Sequence, residues 1–499
     1  MKRMSLFLVA SLCTSMFFCK DVSANLVQSG NVNKLQYSYQ VNKDSFPGYI
    51  EANEHEEIGP DAFFIAGNKV FIDDTVNNRV LVYSGEEYDK AISVPWYMDI
   101  KLMYYVEEDN SLKVVYEDLR DSYVRQLLAE VTIDTGEIVG KIIELSNQDK
   151  HLTEYWFDAD GELVTQYYDG NDTADAAVKQ DISDGLYSSE LVLASAGKNS
   201  ICFQSNYYHE NNKMKIQERI VISEGKNVGY ALPEKNEGEF NRGNFQFAEN
   251  GEIYQMVVGE KGVNIYRLYR NMSGKAIGFA EREYEQIESD NAEIMARAAT
   301  YKSMSTTNIG LRAMQYFGLY WTFNSSRNSN LSVTENASWV TQPTWLTALA
   351  DGADHSVVGV PYCWGGWNAE TFVSNINNGM FAGNVCCDYT QRQVGGTVGM
   401  DCSGYVSVAY DLPGKYGTYT LDEPFEEVIN YDTVQSYDIL NKPGHHVMIV
   451  IGTYVSNGVR YVNTLEETAS AGKIVQTTNR NYASLLNSGY RPMRYRYLQ

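Results

Sequence analysis

Gly359-Val360-Pro361-Tyr362-Cys363-Trp364-Gly365-Gly366, followed further on by Asp401-Cys402-Ser403-Gly404-Tyr405-Val406-Ser407-Val408-Ala409-Tyr410, is the stretch from which the rest of the chain is read. After Cys402 the apolar residues Tyr405, Val406, Val408 and Ala409 recur at helical spacing, and Asp401 is a good N-cap, so the spacing predicts a helix beginning at Cys402. A thiol in the first turn meets the positive end of the helix dipole, which favours the nucleophilic thiolate. That placement suits covalent catalysis, which also needs a base. His446 opens the run Val447-Met448-Ile449-Val450-Ile451, which reads as a buried central strand with the histidine at its end. The following strand, Arg460–Glu467, offers Asn463, Glu466 and Glu467 to orient the imidazole. On an ideal strand Asn463 and Glu466 face opposite sides, so one of them at most points at His446. A cysteine and a histidine in one chain are weak evidence by themselves, because both residue types are common in cores without any chemistry.

Three motifs in one order add to that evidence. Pro361-Tyr362-x-Trp364-Gly365-Gly366, Asp401-Cys402-Ser403-Gly404 and His446-Val447 together resemble the NlpC-type cell-wall cysteine peptidases, which have a papain-like α+β fold. The resemblance covers residues 346–499 and says nothing of what precedes them. It implies Cys402 as nucleophile, His446 as general base, Tyr362 as a wall of the substrate pocket and the Cys402 backbone N–H as an oxyanion donor. Asp401 and Ser403 resemble the residues that receive the free amino end of a stem peptide; helix capping and local hydrogen bonding are their structural roles. For the third triad member, the Glu-x-Thr wording of relatives matches Glu466-Glu467-Thr468 and favours Glu466 over Asn463, with His445 a neighbour of the base. Two features depart from the family. The segment Trp367–Met400, with its adjacent Cys386 and Cys387, is a long insertion, and the customary Gly-Asp before the histidine strand is replaced by Tyr437-Asp438-Ile439-Leu440-Asn441-Lys442-Pro443-Gly444. In an oxidising, exported setting Cys363 is expected to bridge Cys386 or Cys387 and pin the insertion beside the cleft.

Upstream, residues 25–290 read as short strands broken by turn signals such as Asp134-Thr135-Gly136-Glu137, Asp160-Gly161-Glu162 and Asn250-Gly251-Glu252. The clearest unit runs from Gly59 to Tyr83, with Asp73-Asp74, Asn77-Asn78 and Arg79 between strands, and it resembles one NHL-type β-propeller repeat in which an Asp, an Asn and an Arg tie successive strands together. A fainter copy runs from Phe245 to Tyr266. Blades of roughly 40–45 residues would fit about six times into this region, and an irregular β-sandwich is the alternative. Residues 291–345 read as a helical lead-in, with helical spacing over Asn291–Tyr301 and Asn308–Tyr316 and a polar surface loop over Asn324–Asn336. The fold class expected is therefore multidomain: an all-β N-terminal domain, read as a β-propeller, followed by an α+β papain-like NlpC-type domain.

The compartment is read from the first residues. Lys2 and Arg3 precede the apolar run Ser5–Cys19, and Val22-Ser23-Ala24 has the small residues a signal peptidase accepts, so 1–24 is expected to be a cleaved secretory signal. The run is short of the roughly 20 residues that span hydrocarbon. With 40 basic against 64 acidic residues, a formal charge of −24, the chain lacks the phosphate-neutralising surface of a nucleic-acid binder. His55, His151, His209 and His355 show no metal-ligand spacing, and no Cys-x-x-Cys or His-Glu-x-x-His occurs, so no metal or cofactor is expected.

The leading reading is a secreted cysteine peptidase that hydrolyses peptide bonds in peptidoglycan stem peptides, with a protein or glycan as ligand of the propeller and no membrane-spanning segment. An N-acetylmuramoyl-L-alanine amidase using the same Cys-His pair is the second reading. A propeller-based binding or adhesion protein with an inactive peptidase-like domain is the third.

Overall fold

Strand-forming segments rich in Val, Ile, Tyr and Phe dominate the described part of the first half of the chain, and several end at a turn glycine with positive φ, such as Gly67, Gly85, Gly136 and Gly161. The structure, a computed structural model, describes residues 33–40, 60–284 and 301–499, apart from 75–76, 147–151, 159, 168–186, 197–198, 211–212, 235–241, 249–250, 260–261, 276, 368–370, 387–391 and 457–458. The expected signal segment, nearly all of the expected Asn291–Tyr301 helix, His55, His151 and Cys387 lie outside the described residues.

The N-terminal half is built of antiparallel meanders. β2 (Phe63–Ala66), β3 (Lys69–Asp74), β4 (Arg79–Ser84) and β5 (Glu87–Ser93) form one four-stranded sheet in chain order. β6 (Met98–Val106), β7 (Ser111–Asp118), β8 (Arg125–Thr132) and β9 (Ile138–Glu144) form the next. β10 (Leu152–Phe157) pairs with β11 (Leu163–Tyr167), and β12 (Tyr187–Ala196), β13 (Asn199–Glu210), β14 (Lys213–Glu224) and β15 (Asn227–Ala231) make a further meander that β19 (Ala280–Tyr284) joins through β14. In a further sheet β16 (Phe245–Phe247), β17 (Ile253–Gly259) and β18 (Gly262–Arg267) are completed by β1 (Lys34–Gln40), so the first of the described strands supplies the edge of a sheet otherwise made of much later ones.

The Asp-Asn-Arg tie read from the sequence forms as a corner between β3 and β4. The buried Asp74 carboxylate accepts from Asn77 Nδ2 at 3.0 and 2.9 Å and from Arg79 Nε at 2.6 Å. Asp74→Ala strands these donors, and we expect a loss of about 2–3 kcal/mol, the scale of hydrogen bonds to a charged group. The fall in Tm of the folded chain measures it; an unchanged Tm would show that the corner holds nothing.

The C-terminal half centres on a six-stranded antiparallel sheet in the order β24-β29-β25-β26-β27-β28, made of β24 (Phe425–Glu427), β25 (Ile439–Lys442), β26 (His446–Ser456), β27 (Val459–Thr468), β28 (Lys473–Asn481) and β29 (Arg491–Tyr495). Strand alternation divides its side chains into two cores. Val447, Ile449, Leu465, Ile474 and Met493 pack with Tyr405, Val406 and Ala409 of the helix Cys402–Ala409, and Ile309 and Ala313 of the helix Thr306–Phe317 belong to the same core. Leu440, Met448, Val450 and Val462 pack on the other side with Tyr482, Leu485 and Leu486 of the helix Tyr482–Asn487.

The Asn324–Asn336 segment, expected to be a surface loop, contains one turn of helix at Ser325–Asn328 and a 3-10 turn at Leu331–Val333. Its asparagines are caps and braces: Asn330 accepts from Ser332 N, and the fully buried Asn328 donates to the Ile376 and Met380 carbonyls at 2.8 and 3.1 Å.

The outer edge of β28 does not stay bare. The loop between β7 and β8 runs along it, with Gln476 N donating to Ser122 O at 2.8 Å and Val124 N to Gln476 O at 3.1 Å, while Leu119 and Val124 pack on Ala471 and Val475. Edge groups that would otherwise invite another strand are thereby paired.

Candidate active site

The helix that starts at Cys402 is placed by close backbone approach. Asp401 is its N-cap, and one carboxylate oxygen accepts from Gly404 N at 2.7 Å and from Ser403 Oγ at 3.1 Å. The other accepts from Gly365 N at 2.9 Å and from Lys415 Nζ at 2.5 Å. One side chain therefore clamps the Trp-Gly-Gly loop to the start of the helix. The glycines of the two motifs follow from this contact: a Cβ on Gly404 would overlap the Gly366 carbonyl, and Gly365 at φ 71° sits against the backbone of Gln393. Cys402 is the first helical residue and only 1% exposed.

Tyr362 and Trp364 form a small buried cluster of their own, tied down by Tyr362 N donating to Gly472 O at 2.9 Å and Trp364 N to Asn384 O at 2.9 Å. Pro361 bridges Lys473, whose ammonium donates to the Arg120 carbonyl at 2.9 Å, so the loop that leaves β7 supports the wall on which Tyr362 lies. Burial lowers Lys473 to about 8.

On the neighbouring strands His446 Nε2 lies 2.9 Å from Glu466 Oε2, and Arg480 Nη1 lies 2.5 Å from Glu466 Oε1. Burial pushes the Glu466 carboxyl up, but Arg480 and then His446 overcome it and hold the group well below the usual carboxylate range. An ionised Glu466 accepts from Nε2–H and so fixes the tautomer, which leaves proton exchange with a thiol to Nδ1. Asn463 sits at the irregular register between β27 and β28 and accepts from Asn479 N at 2.9 Å. Of the two candidates for orienting the imidazole, Glu466 is the one beside His446.

The structure thus gathers the candidate residues into two groups. Cys402, Asp401 and Ser403 cluster with Lys415 at the helix start, in the core of Val447, Ile449 and Leu465. His446 and Glu466 share the opposite face with Met448 and Arg480, and the His446 ring meets the edge of Tyr490 with centroids 6.3 Å apart. Lys415 and Arg480 were not singled out from the sequence. Each follows its partner by 14 residues, Lys415 beyond the end of the helix that Asp401 caps and Arg480 on the strand next to that of Glu466, and only the fold brings the charges together.

Cys363 and Cys386 are free thiols, so the expected staple between them is absent. The Cys363 thiol turns instead to Thr397 Oγ1 at 3.2 Å, and burial pushes it up to about 12. The insertion is held by packing and by a two-residue parallel pairing of Phe381–Ala382 with Thr397–Val398. Among the described residues no cluster of His, Cys, Asp and Glu is suited to hold a metal, and no helix is long and apolar enough to cross a membrane.

We expect Glu466→Gln to lower turnover about 10²-fold or more through loss of imidazole orientation, and Asn463→Ala to leave it within about threefold. Steady-state kinetics on a wall-derived peptide ranks them; the reverse ranking moves the orienting role to Asn463.

No family model matches the chain, and no curated protein matches it significantly. Among solved structures, a Bacteroides fragilis protein named as exported aligns with 49% of this chain and 97% of its own at 9% identity and a TM-score of 0.26. A streptogramin B lyase aligns with 48% of this chain and 98% of its own at 9% identity and a TM-score of 0.24. At these scores neither likeness bears on fold or activity.

Proposed function

We propose that this chain is an exported cysteine peptidase that hydrolyses peptide bonds in bacterial cell-wall stem peptides, with Cys402 as nucleophile, His446 as base and Glu466 orienting the base. One observation carries the reading: a buried thiol at the first residue of a capped helix stands beside a sheet whose strand end holds a histidine bonded to an ionised glutamate. The chemistry would be acyl transfer. His446 takes the thiol proton, the sulfur attacks the carbonyl carbon, the protonated imidazole returns the proton to the leaving amine, and water then releases the acyl group by the same route. His446 and Cys402 lie toward different faces of the sheet, so this step requires the imidazole to turn toward the helix side, and His445, next to it in the chain, is the competing base. The C-terminal half is read as a papain-like NlpC-type domain, with the sheet and the nucleophile helix as its two layers.

The pocket departs from simple amine recognition. Asp401 and Ser403 are bonded to each other, and the Asp401 carboxylate is already occupied by Lys415, whose ammonium also lies 6.0 Å from the Trp364 ring centroid. A stem-peptide amine would have to displace Lys415 to reach Asp401.

The N-terminal half is read as a β-propeller whose four-stranded meanders are blades and whose β1 closes the ring, a platform for a wall glycan or a protein. Its strong acidic excess disfavours nucleic acid as a partner. Digestion of purified wall with the protein, followed by identification of the new end groups, tests the activity and separates it from the amidase alternative.

A further inference from the structure

Glu466 and Glu467 are consecutive, yet strand alternation sends them into opposite surroundings. Glu466 is ionised between Arg480 and His446. Glu467 pairs across β27 and β28 with Ile474 and shares its side of the sheet with Leu465, the core into which Cys402 and Tyr405 pack. It is 0% exposed, and among the described residues neither of its carboxyl oxygens has a hydrogen-bond partner. A carboxylate placed there without a partner would be far more costly than a carboxylic acid, so the group keeps its proton.

Among the described residues no cation is bonded to it. From the helix come Asp401, Cys402 and Tyr405; the Asp401 charge is committed to Lys415, and the Tyr405 hydroxyl donates to Ala313 O at 3.0 Å. From β28 comes Ile474, while Lys473 points to Arg120. From β26 comes Val447, and in the turn before it burial holds the His445 imidazole down at about 3, hence uncharged near neutral pH. Burial pushes the Glu467 carboxyl well above its ordinary range, and the charges of Asp401 and Cys402 push it the same way.

We propose that Glu467 is a positioning residue for the nucleophile: a neutral carboxylic acid packed in the wall beside Cys402, which competes with the thiol for the one further negative charge that this end of the helix accommodates. In the reactive form the thiol has given its proton to the base and Glu467 retains its own. A charge on either group opposes a charge on the other, because both lie in the same buried surroundings. The proposal rests on the reading of Cys402 as nucleophile. It also fixes a sign for stability. The native state holds a proton on Glu467 that the unfolded chain releases above the ordinary carboxylate range, so this residue makes stability fall as pH rises through that range toward its raised native value.

The test is the pH dependence of iodoacetamide alkylation at Cys402, followed by mass spectrometry of the Cys402 peptide, in the full chain and in Glu467→Gln. Expected is alkylation about threefold or more faster in Glu467→Gln than in the wild type above neutral pH. Glu467→Leu, a second variant for the case that the amide folds poorly, should give the same acceleration and a higher Tm. A merely structural carboxyl would change Tm and leave alkylation as it was, so superimposable titration curves overturn the proposal. The readout needs no substrate. Inactivity on cell wall with altered alkylation curves would sink the peptidase reading alone, and activity with unaltered curves would sink this proposal alone.

Discussion

Cys402→Ala should abolish hydrolysis of a wall-derived peptide, with a loss of about 10⁴-fold or more in kcat, because no other group in the site can form the acyl intermediate. The fold should survive. The side chain is fully buried but loses only its sulfur, a large-to-small change at the low end of about 1–3 kcal/mol. Unchanged far-UV circular dichroism with lost turnover is the expected pair of results. Cys402→Ser should be nearly as inactive, because a hydroxyl is far harder to deprotonate at this position than a thiol. Wild-type turnover by either variant ends the covalent mechanism.

His446→Ala should lose about 10³-fold or more, and the double variant with Cys402→Ala should be no slower than the worse single, because groups that act as a unit are strongly non-additive. Stability should fall as well, since Glu466 and Arg480 are left as a buried pair without the imidazole. The neighbouring residue gives the comparison its force. Strand alternation extended one residue back from His446 turns His445 toward the side of Val447 and of the nucleophile helix. His445→Ala is expected to stay within about fivefold of wild type. If His445→Ala is dead and His446→Ala active, the base is His445, and the His446–Glu466–Arg480 cluster serves the fold.

The parts of the site that could be read in the sequence are those fixed by local chemistry. Asp401 caps the helix that starts at Cys402 because an Asp before a helical apolar pattern has few better uses, and the Gly404 and Gly365-Gly366 positions have to be glycine because backbone meets backbone there. β26 followed from its apolar run, and Asp74, Asn77 and Arg79 from short-range spacing. The Lys415 and Arg480 partners did not, because a surface-type cation carries no periodicity that ties it to a carboxylate 14 residues earlier. Glu467 was legible as a candidate and not as a buried neutral acid, since a charged residue in a strand reads by default as solvent-facing. The staple expected of Cys363 failed for a similar reason: adjacency in the loop does not fix side-chain direction, and the thiol turned to Thr397. In the Asn324–Asn336 segment composition suggested a loop, whereas the asparagine side chains supply the caps and braces that let short helical turns form.

The measurement that bears most directly on the account is mass analysis of purified peptidoglycan after incubation with the protein, with Cys402→Ala as control. The account predicts new amino and carboxyl ends within the stem peptide, produced by the wild type and absent with the variant. Release of intact stem peptides bearing a free N-terminal alanine would replace the peptidase with an amidase. Unchanged wall with both proteins, under conditions where Cys402 alkylates, would contradict the account.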